Sequence, residues 1–198
     1  EGKHYKFRYV NPWPKPLQQP HPPVWTAGVL SPETIKWAAE HGYTYNTLLT
    51  PMETTARAFA LYHTHAAGAG RASGPENLGY LLMCYVAETD AKAQEEGREL
   101  AWYVNEGVRM PSQMASPPGY GGEFKRLAAG EVAQKPVYDH SYEELQTAGI
   151  VVVGSPDTVI RRLRELYHHS PFKHLITMGQ AGSMPHNHVM NSLRLIGQ

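Results

Sequence analysis

The sequence has one cysteine, no net charge and no long apolar run, and each shortage removes a class of protein. Cys84 alone excludes an internal disulfide framework and a cysteine-based zinc site. It sits inside an apolar stretch, where a thiol packs as a small hydrophobe. Lys plus Arg and Asp plus Glu number 18 each, so the basic excess of a nucleic-acid binder is missing. The densest basic cluster is only Arg161, Arg162 and Arg164. Charged residues are 18% of the chain, against a usual value of about 25%. The longest apolar run, Leu78 to Ala87, contains Gly79 and two tyrosines and falls well short of the ~18 residues of a membrane span. No secretory signal and no Asn-x-Ser/Thr acceptor are present. No nucleic acid and no membrane are therefore expected as partners, and a cytoplasmic location is expected.

What is abundant is turn and aromatic chemistry. The 18 Gly and 16 Pro make up about 17% of the chain against a usual ~12%, while 4 Trp, 12 Tyr and 4 Phe argue against disorder. A length of 198 residues suits one domain. Within it, Tyr5, Phe7 and Tyr9 alternate as on one face of a strand. Residues 1–23 are read as a hairpin arm followed by a Pro-rich extended connector. Val24 to Ala27 is β-prone. Ser31-Pro32-Glu33 then starts a helix, with Ser31 as N-cap and Pro32 at the first helical position, and Gly42 ends it. Tyr43 to Thr50 reads as a strand. From Glu53, Ala56, Phe59, Ala60, His63 and Ala67 fall at helical spacing. Leu78 to Thr89 reads as a strand, and Thr89-Asp90 starts a helix whose buried face is Ala93, Gly97, Leu100, Ala101, Val104 and Val108. Residues 109–147 break the rhythm and are expected to be an insertion or a lid near a functional site. Val151 to Val153, a helix through Val159 and Leu166, an apolar run from His174 to Met178, and a helix using Val189, Met190, Leu193 and Ile196 complete the chain. This alternation predicts an α/β fold with a parallel sheet.

Ligands in such folds sit at the carboxyl ends of the strands. The candidate segments are Ala27–Thr34, Leu49–Glu53, Ala87–Asp90 and Gly179–His188. The first is the best candidate. Gly28 permits a tight turn, and Ser31, Thr34 and free amides at a helix start can hold a phosphate; the plainer alternative is that Ser31 only caps the helix. Ser155-Pro156-Asp157-Thr158 repeats the pattern, and there capping is the expected role. Eleven histidines invite a metal reading, but His63-x-His65 and His186-x-His188 lack acidic neighbours and helical ligand spacing. No metal is expected, and His63 reads as a satisfied, half-buried side chain. Trp25, Tyr45, Met52, Met178 and Met184 lie near strand ends, where they suit an apolar pocket or a core.

Gly2-Lys3-His4-Tyr5, the run Asn11-Pro12-Trp13-Pro14-Lys15-Pro16-Leu17-Gln18-Gln19-Pro20-His21-Pro22-Pro23, then Val24-Trp25-Thr26-Ala27-Gly28 and Ser31-Pro32-Glu33-Thr34 together resemble the bacterial luciferase-like flavin-dependent monooxygenases. Trp37-Ala38-Ala39-Glu40-His41-Gly42-Tyr43 and Val153-Gly154-Ser155-Pro156-Asp157-Thr158-Val159 with Leu163 fit the same family. The resemblance implies a (β/α)8, TIM-type barrel of which residues 1–198 supply the second half. Strands five to eight would fall at about Val24–Ala27, Tyr43–Leu49, Leu78–Ala87 and His174–Met178, and the Val151 segment need not be a barrel strand. It implies reduced FMN as cofactor, O2 as co-substrate, a small apolar organic substrate and a flavin reductase as partner. It would place the flavin phosphate at Gly28, Val29, Leu30, Ser31 and Thr34. A deazaflavin-dependent hydride-transfer enzyme of the same fold is the alternative cofactor reading, and a non-catalytic flavin-binding or accessory chain is the alternative role. The family's active-site His belongs to the first four strands, so no catalytic residue carries over. A first residue of Glu and a length below the ~250 residues of a full barrel lead to the expectation of a partial chain or a homo- or hetero-oligomer.

Overall fold

The computed structural model describes residues 2–109 and 137–198. The elements are β1 (Trp25–Gly28), α1 (Pro32–His41), β2 (Thr44–Leu48), α2 (Met52–Gly68), β3 (Leu78–Val86), α3 (Asp90–Glu96), α4 (Glu99–Trp102), α5 (Tyr142–Thr147), β4 (Val151–Gly154), α6 (Pro156–His169), β5 (His174–Met178) and α7 (His186–Ile196). All strand pairings are parallel. β1 pairs with β2 and β2 with β3, while β3 also pairs with β4 and β5. Backbone donors show how three strands share β3. Leu49 N–H donates to the Leu81 carbonyl at 3.1 Å, Met83 N–H to Ile150 at 2.9 Å, and Ala87 N–H to Gly154 at 3.2 Å. These odd-numbered β3 groups face one edge, so β4 continues the β2 side of β3 after β2 has ended. β5 takes the other edge. The row β1–β2–β3–β5 therefore reproduces the four expected barrel strands in order, and the Val151 segment lies outside that row.

The period of two along β3 divides the interior. Leu78, Tyr80, Leu82, Cys84 and Val86 pack with Ile35 and Ala38 of α1, Phe59 and Tyr62 of α2, and Leu166 of α6. Met83 and Tyr85 face a second core with Ala93, Leu100, Val104, Leu145 and Val153. Burial pushes the Cys84 thiol up to about 12, which leaves it protonated and unreactive at neutral pH. On the face opposite the first core, Ala27, Asn46, Gly79 and His174 form one cross-strand row. The Trp25 ring lies 4.6 Å from His174, and Trp25 and Leu48 remain 44% and 39% exposed. Among the described residues, the outer edges of β1 and β5 have no partner strand.

Several expectations need correction. Residues 2–24 contain no strand; Tyr5, Phe7 and Tyr9 stay exposed, because an alternating segment becomes a strand only where a neighbour supplies a ladder. In α2 the buried face is Thr54, Thr55, Ala58, Phe59, Tyr62 and Ala66, while Ala60 and Ala67 are exposed. The winning face carries hydroxyls that find partners: Tyr62 donates to the Tyr43 carbonyl at 2.7 Å, and Thr55 lies 2.7 Å from Thr50. The displaced positions Ala56, Ala60, His63 and Ala67, beside buried Phe59, line a groove of about 700 Å³ against His169 and Pro171. The helix expected from Thr89 to Val108 is instead α3, α4 and a π turn over Tyr103–Gly107. It breaks at Gly97, where a Cβ would meet the Ala93 carbonyl at 2.8 Å and Val153 at 2.9 Å. In α7, Val189 and Ser192 are buried, but Met190, Leu193 and Ile196 are exposed. Ser192 turns inward because its hydroxyl accepts from Val86 N–H at 2.9 Å. Most of the expected insertion, residues 110–136, lies outside the described residues.

Candidate functional site

Parallel strands bring the turns after β1, β2, β3 and β5 to one end of the sheet. The turn after β1 is the expected phosphate segment. Ser31 has extended backbone and caps α1, accepting from Thr34 N–H at 3.4 Å. Pro32 occupies the first helical position, where a missing N–H is harmless. Thr34 Oγ1 donates to Ser31 Oγ at 3.2 Å, so the two hydroxyls converge at the helix start. Among the described residues, no backbone carbonyl accepts from the amides of Val29, Leu30, Ser31 or Glu33. Amides without a carbonyl partner and two hydroxyls thus stand together at the positive end of a helix, an arrangement that can take an anion. Gly28 precedes them, and a Cβ there would lie 2.9 Å from the Tyr45 hydroxyl. Glu33 is the discordant group, since Ser31 Oγ donates to its Oε2 at 3.1 Å. It is exposed and free to turn away into solvent.

The second copy of the pattern is closed. Asp90 Oδ1 accepts from Ser155 N–H at 2.6 Å and its Oδ2 accepts from Thr158 Oγ1 at 3.1 Å. A carboxylate of the same chain thus already fills the anion position at the start of α6. The bond from the Ser155 amide, above all, holds the Asp90 carboxyl below the usual carboxylate range. Sequence reading assigned Asp90 to the start of α3; there Thr89 does the capping, accepting from Lys92 N–H at 3.3 Å. Nothing local in the sequence signals that Asp90 reaches a helix 65 residues away.

The other candidate segments serve mainly to hold the scaffold. After β2, Leu49 adopts φ 47°, a left-handed conformation that costs a branched residue energy and tends to be kept near functional sites. The Thr50 carbonyl accepts from Tyr80 at 2.9 Å. Between Gly179 and His188, Ala181 and Met184 are buried in the second core, and His188 Nε2 lies 3.6 Å from Glu96 Oε1. Glu96 also accepts from the Tyr85 hydroxyl at 2.7 Å, a pairing that sequence reading missed. His63 has a local partner in Ser73, 2.7 Å away. The five residues suggested for an apolar pocket are not brought together. Tyr45 and Met52 pack in the first core, Met178 and Met184 in the second, and only Trp25 faces the open side. Among the described residues no three of His, Cys, Asp and Glu cluster as for a metal ion, and no helix is long and apolar enough to cross a membrane.

Solved structures share this arrangement. The monooxygenase RslO1 from Streptomyces bottropensis matches 99% of this chain with 52% of its own, at 22% identity and a TM-score of 0.69. The oxygenating constituent of 3,6-diketocamphane monooxygenase from Pseudomonas putida, a type II Baeyer–Villiger monooxygenase solved with FMN, matches 90% of this chain with 48% of its own, at 20% identity and a TM-score of 0.66. The coenzyme F420-dependent tetrahydromethanopterin reductase of Methanopyrus kandleri matches 89% with 49% of its own, at 17% identity and a TM-score of 0.54. The chain thus spans about half the length of the structures it matches, and its parallel α/β sheet is part of a TIM-type barrel. The luciferase-like monooxygenase family model matches residues 1–174; the chain belongs to the luciferase-like monooxygenase family.

Proposed function

We propose that this chain supplies the carboxyl-terminal half of a flavin-dependent monooxygenase, with the phosphate of reduced FMN held at the β1–α1 turn. One observation carries the reading: of two Ser-Pro-acid-Thr helix starts, the one at Ser155 is filled by Asp90 from a distant turn, whereas the one at Ser31 meets only the carboxylate of its own exposed Glu33. The P. putida relative solved with FMN supports the choice of flavin. In this reading Gly28 lets the turn sit close over Tyr45, the amides of Val29 and Leu30 donate to the phosphate, and Ser31 and Thr34 add hydroxyl donors. Glu33 swings out when the phosphate enters. When bound, reduced flavin would supply the two electrons with which O2 gives one atom to a small apolar organic substrate and leaves the other, with two protons, as water. The residues of this chain bind and orient the cofactor by its phosphate end. A flavin reductase that delivers reduced FMN is part of the proposal, as is a second half-barrel, in the same or another chain, that covers Trp25 and Leu48.

Ser31→Ala with Thr34→Val tests the site. The double variant is expected to bind FMN at least tenfold more weakly, with riboflavin unchanged, because charge-assisted hydrogen bonds to a phosphate are lost. Ser155→Ala serves as the control and leaves FMN binding as it was. Equal FMN affinity in the double variant and the parent overturns the reading. The F420-dependent relative favours a second reading, hydride transfer with a deazaflavin. Parallel titrations with FMN and F420, followed by absorbance, distinguish the two.

A further inference from the structure

The first core holds three buried tyrosines, and two of them have partners for their hydroxyls. Tyr62 donates to the Tyr43 carbonyl, and Tyr80 to the carbonyls of Thr50 and Gly149 at 2.9 and 3.1 Å. Tyr45 does not. Its side chain is 0% exposed, and its hydroxyl has no hydrogen-bond partner. Buried polar groups are nearly always satisfied, so a hydroxyl left alone calls for an explanation such as an absent ligand. In the second core the Tyr142 hydroxyl is also unpartnered, but that ring lies under the Arg98 guanidinium, 4.8 Å from its centroid, far along the chain from any anion cradle described above.

The place where the Tyr45 hydroxyl ends is informative. Tyr45 stands opposite Thr26 in the sheet register, and its side chain runs along the helix-facing side towards the carboxyl end of β1. The hydroxyl stops 2.9 Å from the position of a Gly28 Cβ, with ring carbons at 3.3 and 3.5 Å. No φ in the left-handed range accounts for glycine at position 28; the requirement is space. Only glycine at position 28 lets the buried phenol pack this close beneath the turn that leads, three residues on, to Ser31. We infer that the Tyr45 hydroxyl is a further donor to the cofactor phosphate, reaching it from beneath the turn at Gly28. Burial raises the tyrosine pKa, so the hydroxyl keeps its proton beside an anion. A neutral donor on a packed ring loses little freedom on binding and adds no counter-charge.

This inference rests on the phosphate reading above, and the experiment separates the two. Tyr45→Phe is compared with the parent for FMN and riboflavin affinity by flavin fluorescence, on the natively assembled protein, together with the melting temperature of the flavin-free form. The expected result is FMN affinity about tenfold weaker, riboflavin affinity unchanged, and a melting temperature equal or higher, because no internal hydrogen bond is lost. Gly28→Ala is a second variant that keeps the phenol but pushes its hydroxyl away from the turn, and it should weaken FMN selectively as well. If F420 proves to be the cofactor, F420 and its phosphate-free deazaflavin core replace the flavin pair. A Tyr45→Phe protein that binds FMN like the parent overturns the inference, provided the parent prefers FMN to riboflavin. Equal loss for both flavins, or failure of the variant to fold, shows a purely structural tyrosine and also overturns it. A parent that binds FMN and riboflavin equally overturns the phosphate reading itself.

Discussion

Glu33 places a carboxylate beside the donors that an anion would use, and Ser31 Oγ donates to it. Its presence has a local reason, since an acidic side chain in the first turn complements the positive end of α1. The two effects pull in opposite directions, and Glu33→Gln separates them. The variant is expected to bind FMN about two- to fivefold more tightly, as one repulsive charge near the phosphate disappears. Its melting temperature should fall slightly, because α1 loses ~0.3–1 kcal/mol of dipole stabilisation at an exposed position. Weaker FMN binding in Glu33→Gln would mean that the carboxylate assists the ligand. At this scale the sequence was informative wherever one residue acts on its neighbours. Ser31 as cap, Pro32 at the first position and Gly42 at φ 71° all follow from local stereochemistry. It placed Tyr45 near a strand end and Asp90 at a helix start, but gave no sign that the first lacks a partner or that the second finds its partners after a neighbouring strand.

The two helix starts of identical pattern show what an element needs beyond its own sequence. α1 and α6 both begin Ser-Pro-acid-Thr, yet only α6 receives a carboxylate from a distant turn. Asp90 therefore links the end of β3 to the start of α6, and the linkage has a pH sign. Its carboxyl is depressed in the folded state, chiefly by the Ser155 amide and then by the hydroxyls of Ser155 and Thr158. The contribution to stability is present above the unfolded value of about 3.9 and is lost as pH falls through the lower folded value. Asp90→Asn should lower the melting temperature at neutral pH, and the gap from the parent should narrow as pH falls through and below the ordinary carboxylate range. A gap that stays constant as pH is lowered would assign the effect to packing. Strand and helix existence was legible along most of the chain because hydrophobic period and caps coincide. Faces were less legible. α2 rotated to bury Thr55 and Tyr62 because partners awaited their hydroxyls, and α7 turned Ser192 inward to satisfy Val86, which left Met190, Leu193 and Ile196 outside.

Among the described residues the sheet is parallel, its two outer edges lack a partner strand, and Trp25 and Leu48 stay half-exposed on the face opposite the first core. Exposed edges and contiguous apolar surface promote association. Residues 1–198 produced alone should self-associate or bind an apolar dye such as ANS. Adding four complementary strand–helix units should suppress both, as read by sedimentation and dye fluorescence. A stable, dye-free monomer of residues 1–198 would show that the sheet is sufficient by itself. The sequence alone determined the alternation of strands and helices and the capped start of α1, and the order of the four main strands followed from the family resemblance. The alternation and the cap are written in short-range periodicity, capping and turn chemistry. Only the tertiary structure decided which of two like helix starts receives a distant carboxylate, that β4 extends the edge β2 leaves, and that a buried tyrosine ends without a partner at Gly28. Those outcomes depend on groups brought together from distant parts of the chain, and pairing across a sheet leaves no mark in the local sequence of either partner.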